Sequence, residues 1–272
     1  MKPTTHLAPG PFRADQLRPG DSYELSNGHP VPCMPTGARG AKANLVGAAV
    51  LGSDPAVESA GVDAGFAPSP GTLRAPDIAV GGISEAPGWI QGVPPLAVEY
   101  ADTGQDESEL VGKIADLLAA GTQLIWVVRL MGPRRVEIYS AGEPMRLARP
   151  GDELTAPGIL ANPVPVEALY DAEAGHRVTL RNLLQREGYE SLEAVRAEGE
   201  AKGLAEGEAK GLAEGEAKAL REAVREILAA RELEIGPAVA EALARESDPG
   251  RLRHWHRRAL RVTSADEILE PG

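Results

Sequence analysis

Cysteine is nearly absent from this chain of 272 residues, since Cys33 is the only one. A single cysteine excludes an intramolecular disulfide. The five histidines are not spaced as the ligands of a Cys/His zinc cluster would be. Aromatic residues are also scarce, at 4% of the chain, whereas an ordinary hydrophobic content of 43% predicts a folded core.

Long apolar runs are missing as well. No stretch approaches the length of a membrane span, so we expect no membrane partner. The opening residues, MKPTTHLAPGPFRADQLRPG, contain no apolar segment of the kind found in signal peptides. Together these absences predict a soluble, cytoplasmic protein.

Positive charge is in deficit, because the net charge is -12. Proteins that bind nucleic acid without sequence preference usually carry the opposite sign, since their affinity comes largely from neutralising phosphates. The charge therefore argues against tight DNA binding without a divalent cation. It does not exclude a nuclease.

The first part of the chain has the pattern of an α/β or α+β domain. Residues 1–20 are rich in proline and glycine and are predicted to be flexible. Residues 21–172 are predicted to form the domain, in which strands and helices are mixed. Near its start, the Asn27-Gly28 pair predicts a hairpin between two short strands, and residues 41–51 form a candidate helix.

A strand, a helix and a second strand follow one another in the middle of this domain. Residues 92–101 alternate as a strand, with Glu99 close to its end. Residues 107–121 predict an amphipathic helix with Ser108 as its N-cap and Gly121 as its C-cap. The apolar run at residues 122–130 is typical of a strand that is covered on both faces.

The last hundred residues have a helical pattern. Residues 173–220 are predicted to form a tether that contains AEGEAKGL repeats, and residues 221–272 a small helical region. Glycine recurs every four residues in the repeats, and each one costs about 1 kcal/mol relative to alanine in a helix. The repeat leucines form no heptad seam, so a solvated tether is favoured. A coiled-coil rod, and with it a homo-oligomer, remains the alternative.

The segment RLRHWHRRALR at residues 251–261 contains five arginines and no acid. One interpretation is a helix that binds nucleic acid. The other is an amphipathic helix whose apolar residues face inward, which the spacing of Leu252, Trp255, Ala259 and Val262 favours.

Three residues could perform chemistry together: Asp77, Glu99 and Lys113. Two carboxylates on neighbouring strands can hold a hard cation such as Mg²⁺. The cation would polarise a phosphate, and a nearby lysine would stabilise negative charge that develops on it. Each residue also has a simpler interpretation: a turn aspartate after Pro76, a charge that protects a strand edge, and a lysine at the rim of an apolar face.

These residues, in this order, resemble the framework of the Uma-two family of restriction-endonuclease-like proteins, within the PD-(D/E)XK nuclease superfamily. The resemblance covers residues 20–170. The start of the family's sequence is similar to YELSNGHPVPCMPTG, and its end is similar to ILANPVPVEALYD. It implies a central mixed sheet flanked by helices. It also implies that Asp77 and Glu99 are metal ligands for Mg²⁺ or Mn²⁺. The superfamily's usual lysine position is Ala101, and Lys113 stands where the family often carries its lysine instead.

Two functional hypotheses follow. The first is a metal-dependent endonuclease that hydrolyses DNA phosphodiester bonds, with Asp77, Glu99 and Lys113 as catalytic residues. The second is a nuclease fold that no longer cleaves and acts as a binding or assembly module through its helical tail.

Overall fold

The structure is a computed structural model that describes residues 10–270. The chain divides between Ser191 and Leu192 into two units, which are described separately. The first unit contains thirteen strands and three α-helices in its described residues. The strands are β1 (Tyr23–Ser26), β2 (His29–Pro32), β3 (Ala60–Val62), β4 (Phe66–Ser69), β5 (Thr72–Arg74), β6 (Ile78–Val80), β7 (Ile90–Gln91), β8 (Leu96–Ala101), β9 (Leu124–Arg129), β10 (Arg135–Tyr139), β11 (Arg146–Ala148), β12 (Glu153–Leu154) and β13 (Val164–Pro165). The helices are α1 (Ala38–Gly52), α2 (Glu107–Ala120) and α3 (Ala172–Arg186).

A six-stranded mixed sheet forms the centre of this unit, in the order β11-β10-β9-β8-β6-β3. Its neighbouring strands are antiparallel, except that β8 and β9 are parallel. Helix α2 supplies the crossover that a parallel pair requires. The sheet and its flanking helices give the α+β class that the sequence predicts.

Both faces of β8 are buried, and its residues alternate between them as predicted. Leu96, Val98 and Tyr100 belong to the larger core, which contains residues of α1 and α3. Ala97 and Ala101 point the other way and pack with the apolar face of α2. Glu99 therefore lies on the α2 side of the sheet, among apolar neighbours.

Tyr100 fixes the approach of α1 to the sheet. Its hydroxyl donates a hydrogen bond of 2.8 Å to the carbonyl of Leu169. Gly47 of α1 lies against the same hydroxyl, and a Cβ at that position would overlap the Tyr100 oxygen. The close approach of helix and strand therefore requires glycine at position 47.

A second sheet has the order β2-β1-β5-β4-β7 and contains the hairpin of β1 and β2. Asn27 and Gly28 have φ angles of 50° and 78°, as a two-residue hairpin turn of type I′ requires. The predicted hairpin is therefore present. A separate small sheet pairs β12 with β13.

Helix α2 has its N-cap two positions before the predicted one. Asp106 is the N-cap, and its carboxylate accepts hydrogen bonds from the amides of Ser108 and Glu109 at 2.9 and 3.1 Å. The prediction of Ser108 as N-cap was wrong, because a carboxylate placed before the first helical residue reaches two free amides. Gly121 ends the helix with a φ of 112°, as predicted.

Of the residues predicted to be flexible, 1–9 lie outside the described range. The indole nitrogen of Trp89 donates to the carbonyls of Ala14 and Leu17 at 3.0 and 3.2 Å, which holds part of the remaining segment to the second sheet. At the other end of the unit, Asn182 and Arg186 of α3 donate to backbone carbonyls at the end of α1 and just after it.

The second unit contains α4 (Leu192–Ala230), α5 (Pro237–Arg245) and α6 (Pro249–Ala259). Its core includes Val224, Leu228, Val239 and Leu243. In the repeats, Leu204 and Leu212 of α4 are exposed, and an added Cβ at the repeat glycines would meet no atom within 4 Å. Association through this helix stays a prediction.

None of the helices within residues 10–270 has the length and apolar character needed to cross a membrane.

Candidate active site

Lys113 is the centre of a buried cluster of charged groups. It belongs to α2, and its side chain is 14% exposed. Its Nζ lies 2.9 Å from Glu99 Oε1 and 3.1 Å from Glu24 Oε1, and it donates a hydrogen bond of 2.7 Å to the carbonyl of Ala75. The ammonium group therefore connects the central sheet, the second sheet and the segment between them.

Asp77 is brought next to Glu99 by the pairing of β6 with β8. In this antiparallel pair Ile78 stands opposite Val98, and the same register one residue further places Asp77 opposite Glu99. Asp77 Oδ2 accepts a hydrogen bond of 2.6 Å from the amide of Tyr100, which fixes the carboxylate at the strand end. The structure thus brings together Asp77, Glu99 and Lys113, the three residues proposed from the sequence.

Glu24 is a fourth member of the cluster, and the sequence reasoning missed it. It lies in β1 and is 7% exposed. Its Oε2 is 3.1 Å from Nη1 of Arg74, while Nη2 of Arg74 is 2.5 Å from Asp116 Oδ2. Ser26 donates to the same Asp116 oxygen at 2.8 Å. In the sequence, Glu24 is visible only as a glutamate within a short strand next to a tight turn. That pattern alone does not indicate a functional site.

Two other acids that follow β8 are directed elsewhere. Asp102 is paired with Arg39 of α1, and this hydrogen bond lowers the pKa of Asp102. Glu109 is exposed on α2. Ala101, at the superfamily's usual lysine position, is buried against α2. The cationic group next to Glu99 therefore comes from Lys113.

Burial and mutual repulsion change the protonation of the cluster. Burial raises the pKa of Glu99 to about 8 against the attraction of Lys113, and the negative charge of Asp77 adds to the rise. Burial also raises the pKa of Asp77, opposed by Lys113 and by the Tyr100 amide. Burial alone would lower the pKa of Lys113, but the charges of Glu99, Glu24 and Asp77 outweigh it and raise that pKa. Lys113 is therefore a permanent cation that cannot act as a base near neutral pH.

The raised pKa of Glu99 predicts how stability depends on pH. The pKa is about 8 when folded and 4.5 without perturbation, so between these values the folded state holds a proton that the unfolded state has lost. This contribution is complete below about 4.5 and is lost as the pH rises through about 8. Relative to a Glu99→Gln variant, the unmodified protein should lose about 2 kcal/mol of unfolding free energy between about pH 6 and about pH 8.

Urea unfolding without divalent metal measures this difference. Both proteins carry Trp255→Phe, so that tryptophan fluorescence reports only Trp89 and Trp126 of the first unit. Glu109→Gln, at an exposed site on α2, is the control and should show no such trend. If the unfolding free energies of the Glu99→Gln variant and the parent change with pH in parallel, the pKa of Glu99 is not raised in the folded state.

The donor atoms suit a hard divalent cation. Lys113 donates a hydrogen bond of 3.1 Å to Glu99 Oε2, and its Nζ also lies 2.9 Å from the buried Glu99 Oε1 in an ion pair. Asp77 Oδ1 receives no hydrogen bond from residues 10–270, since the Tyr100 amide binds the other oxygen. Asp77 Oδ1 is therefore open to a ligand, whereas a cation at Glu99 Oε1 would share that oxygen with Lys113. Carboxylate oxygens are the ligands that Mg²⁺ prefers.

Three-carboxylate coordination is not present in this geometry. Within the described part of the chain, no group of three or more His, Cys, Asp or Glu side chains is arranged to hold a metal ion. A cation here would have Asp77 and Glu99 as its protein ligands, with water or phosphate oxygens in the other positions. This is the usual arrangement for Mg²⁺, which keeps part of its water shell.

Comparison with known proteins agrees with this framework. The family model Uma2, described as "Putative restriction endonuclease", matches residues 12–164. A solved structure, described as "a putative nuclease belonging to DUF820 from Anabaena variabilis ATCC 29413", has a similar fold, with a TM-score of 0.51 and 18% identity. The similarity covers 60% of this chain and 99% of that one. Comparison with curated proteins gives no significant match.

Proposed function

The chain belongs to the Uma2 family, and from this premise we propose that it is a metal-dependent nuclease that hydrolyses phosphodiester bonds in DNA. The observation that carries the proposal is the position of the Lys113 ammonium, which lies 2.9 Å from Glu99 at the strand end where Asp77 stands opposite. Opposed carboxylates with one cationic donor are the groups that phosphoryl transfer in water requires.

Asp77 and Glu99 would hold a divalent cation, Mg²⁺ or Mn²⁺. When bound, such a cation polarises the phosphate and lowers the pKa of a coordinated water. The Tyr100 amide holds Asp77 in place and leaves Oδ1 free. Glu99 has to be ionised to act as a ligand. Burial opposes this by raising its pKa to about 8, while the positive charges of Lys113 and of a bound cation favour the ionised form.

Lys113 keeps its charge throughout the physiological pH range, because three carboxylates raise its pKa. It therefore serves as a donor of positive charge and hydrogen bonds, toward a non-bridging phosphate oxygen or toward the attacking water. Glu24 forms an ion pair with Lys113 on one side and with Arg74 on the other, which limits how far the ammonium can move.

The test is incubation of the purified full-length protein with supercoiled plasmid DNA. We expect nicked and linear products with Mg²⁺ or Mn²⁺ and none with EDTA, and RNA incubated in parallel establishes the choice of substrate. If a folded protein leaves DNA intact with both cations, the proposal is wrong, and a nuclease fold that acts only as a binding or assembly module is then favoured.

A further inference from the structure

Helix α6 presents two different faces. Leu252, Trp255, Ala259 and Val262 are buried in the core of the second unit, which is the inward packing that their spacing favours. The core occupies only this side of the helix. Two of the interleaved arginines have acidic partners, since Arg251 lies 3.1 Å from Glu246 and Arg253 lies 3.4 Å from Glu216. The other three arginines need a separate explanation.

Four basic residues form a single row on the outer side of α6. They are His254, Arg257, Arg258 and Arg261, here called the basic stripe, and they follow the i, i+3, i+4, i+7 spacing of one helix face. The amide of Val262 donates to the carbonyl of Arg258 at 3.1 Å, so helical hydrogen bonding continues past Ala259 and keeps Arg261 in the row. The stripe lines a cavity of about 470 Å³.

The stripe is poorly neutralised by the protein itself. Arg257 and Arg261 are exposed and have no side-chain hydrogen bond or ion pair within the described residues. Arg258 lies 3.3 Å from Glu270, yet its Nε is buried without an acceptor. Glu267 lines the cavity and already accepts hydrogen bonds from Thr263 and Ser264.

This surplus of positive charge contrasts with the rest of the molecule. The chain carries a net charge of -12, whereas residues 254–261 contain three arginines, two histidines and no acid. Exposed like charges on neighbouring turns repel each other by a few tenths of a kcal/mol per pair. A row of this kind is therefore a cost to the folded protein unless an anion binds to it.

We propose that the basic stripe binds the phosphate backbone of double-stranded DNA. Arginine matches phosphate with a planar fork of donors. Seven residues of helix extend over about 10 Å, and one DNA strand carries a phosphate every 3.4 Å of its axis, so the stripe spans about three phosphates. A membrane surface is a poorer fit, because the apolar face that would enter the lipid is buried in the core of this unit.

This site goes beyond the proposed cleavage reaction, since it needs neither the carboxylates nor a metal. The experiment uses the full-length chain carrying Asp77→Asn and Glu99→Gln, in EDTA, with a fluorescein-labelled 20-base-pair duplex. Anisotropy gives the affinity as a function of NaCl concentration. The test variant is Arg257→Gln with Arg261→Gln. The matched control is Arg196→Gln with Arg225→Gln, which makes the same charge change at exposed positions of the same unit.

The test variant should bind at least about tenfold more weakly at low salt, because two phosphate contacts are lost. The slope of log affinity against log salt should become shallower by about 2, at roughly 0.9 per phosphate contact. The control should stay within about twofold of the parent. Within residues 10–270 neither the test arginines nor the control arginines have a side-chain partner, so circular dichroism should be unchanged in both variants.

Equal binding by the test and control variants, or no binding by the parent, would overturn the proposal. Displacement of the duplex by polyglutamate as effectively as by unlabelled DNA would also overturn it, in favour of an acidic protein segment. Cleavage and binding are measured in separate experiments. If the protein cleaves DNA but the basic stripe makes no difference to binding, only this inference is refuted. An inactive chain that still binds through the stripe refutes only the proposed nuclease.

Discussion

The Asp77→Asn and Glu99→Gln variants should each cleave DNA at least about a hundredfold more slowly than the unmodified protein. Both substitutions keep the size of the side chain and remove one negative charge. The side-chain oxygen that remains after Asp77→Asn can still accept the hydrogen bond from the Tyr100 amide, so the strand end should keep its geometry. The loss is then attributable to weaker cation binding. Initial rates of plasmid nicking at a fixed Mn²⁺ concentration below saturation measure the effect.

The folded state should survive both changes, which makes the result interpretable. Burial already favours the neutral form of Glu99, whose pKa is raised to about 8, so a neutral amide is compatible with the site. Glu109→Gln is the matched control, because it removes one carboxylate from the exposed side of the neighbouring helix. If either site variant keeps activity within tenfold of the control, that carboxylate is not a metal ligand.

Replacing Arg74 with methionine should destabilise the first unit by about 3 kcal/mol. The guanidinium is 3% exposed and contacts Glu24 at 3.1 Å and Asp116 at 2.5 Å. Methionine fills much of the same volume but leaves both carboxylates without this cation. Lys113 and Ser26 retain contacts with the two acids, so the expected cost is at the lower end for a broken buried ion pair.

Urea unfolding in the Trp255→Phe background measures the Arg74 effect. Arg177→Met is the control, because it removes the same side chain from an exposed i,i+4 pair with Glu173 and should cost under about 0.5 kcal/mol. Adding Asp116→Asn to Arg74→Met should recover part of the loss, since one uncompensated charge disappears. A cost below about 1 kcal/mol for Arg74→Met would show that the buried pair is not needed for stability.

Local patterns were enough to predict most of the elements that position the site. The Asn27-Gly28 turn, the crossover helix with Gly121 at its end and the apolar strand at residues 122–130 each have a signal within a few residues. Glu99 and Lys113 could be connected because one strand and one helix carry them in immediate succession. The cap of α2 was misplaced by two residues, since both Asp106 and Ser108 are good caps and only geometry distinguishes them.

Glu24 and Arg74 could not be predicted in the same way. They come from the second sheet, and Glu24 is separated from Lys113 by most of a hundred residues of sequence. Their position depends on how the two sheets pack around α2. No periodic pattern within a single segment of the sequence predicts that packing. Glu24 and Leu25 are adjacent and both buried, so β1 lacks the alternation of a half-exposed strand that would have shown which face is polar.

Tyr100 has consequences for how loss-of-function variants should distribute along the chain. Its amide holds Asp77, while its ring lies against Gly47 and its hydroxyl contacts Leu169. A side chain introduced at position 47 has to displace the ring, and the displaced strand carries the amide with it. A random mutational screen scored by DNA cleavage should therefore recover substitutions of Gly47 together with those of the carboxylates, although glycine contributes no functional group.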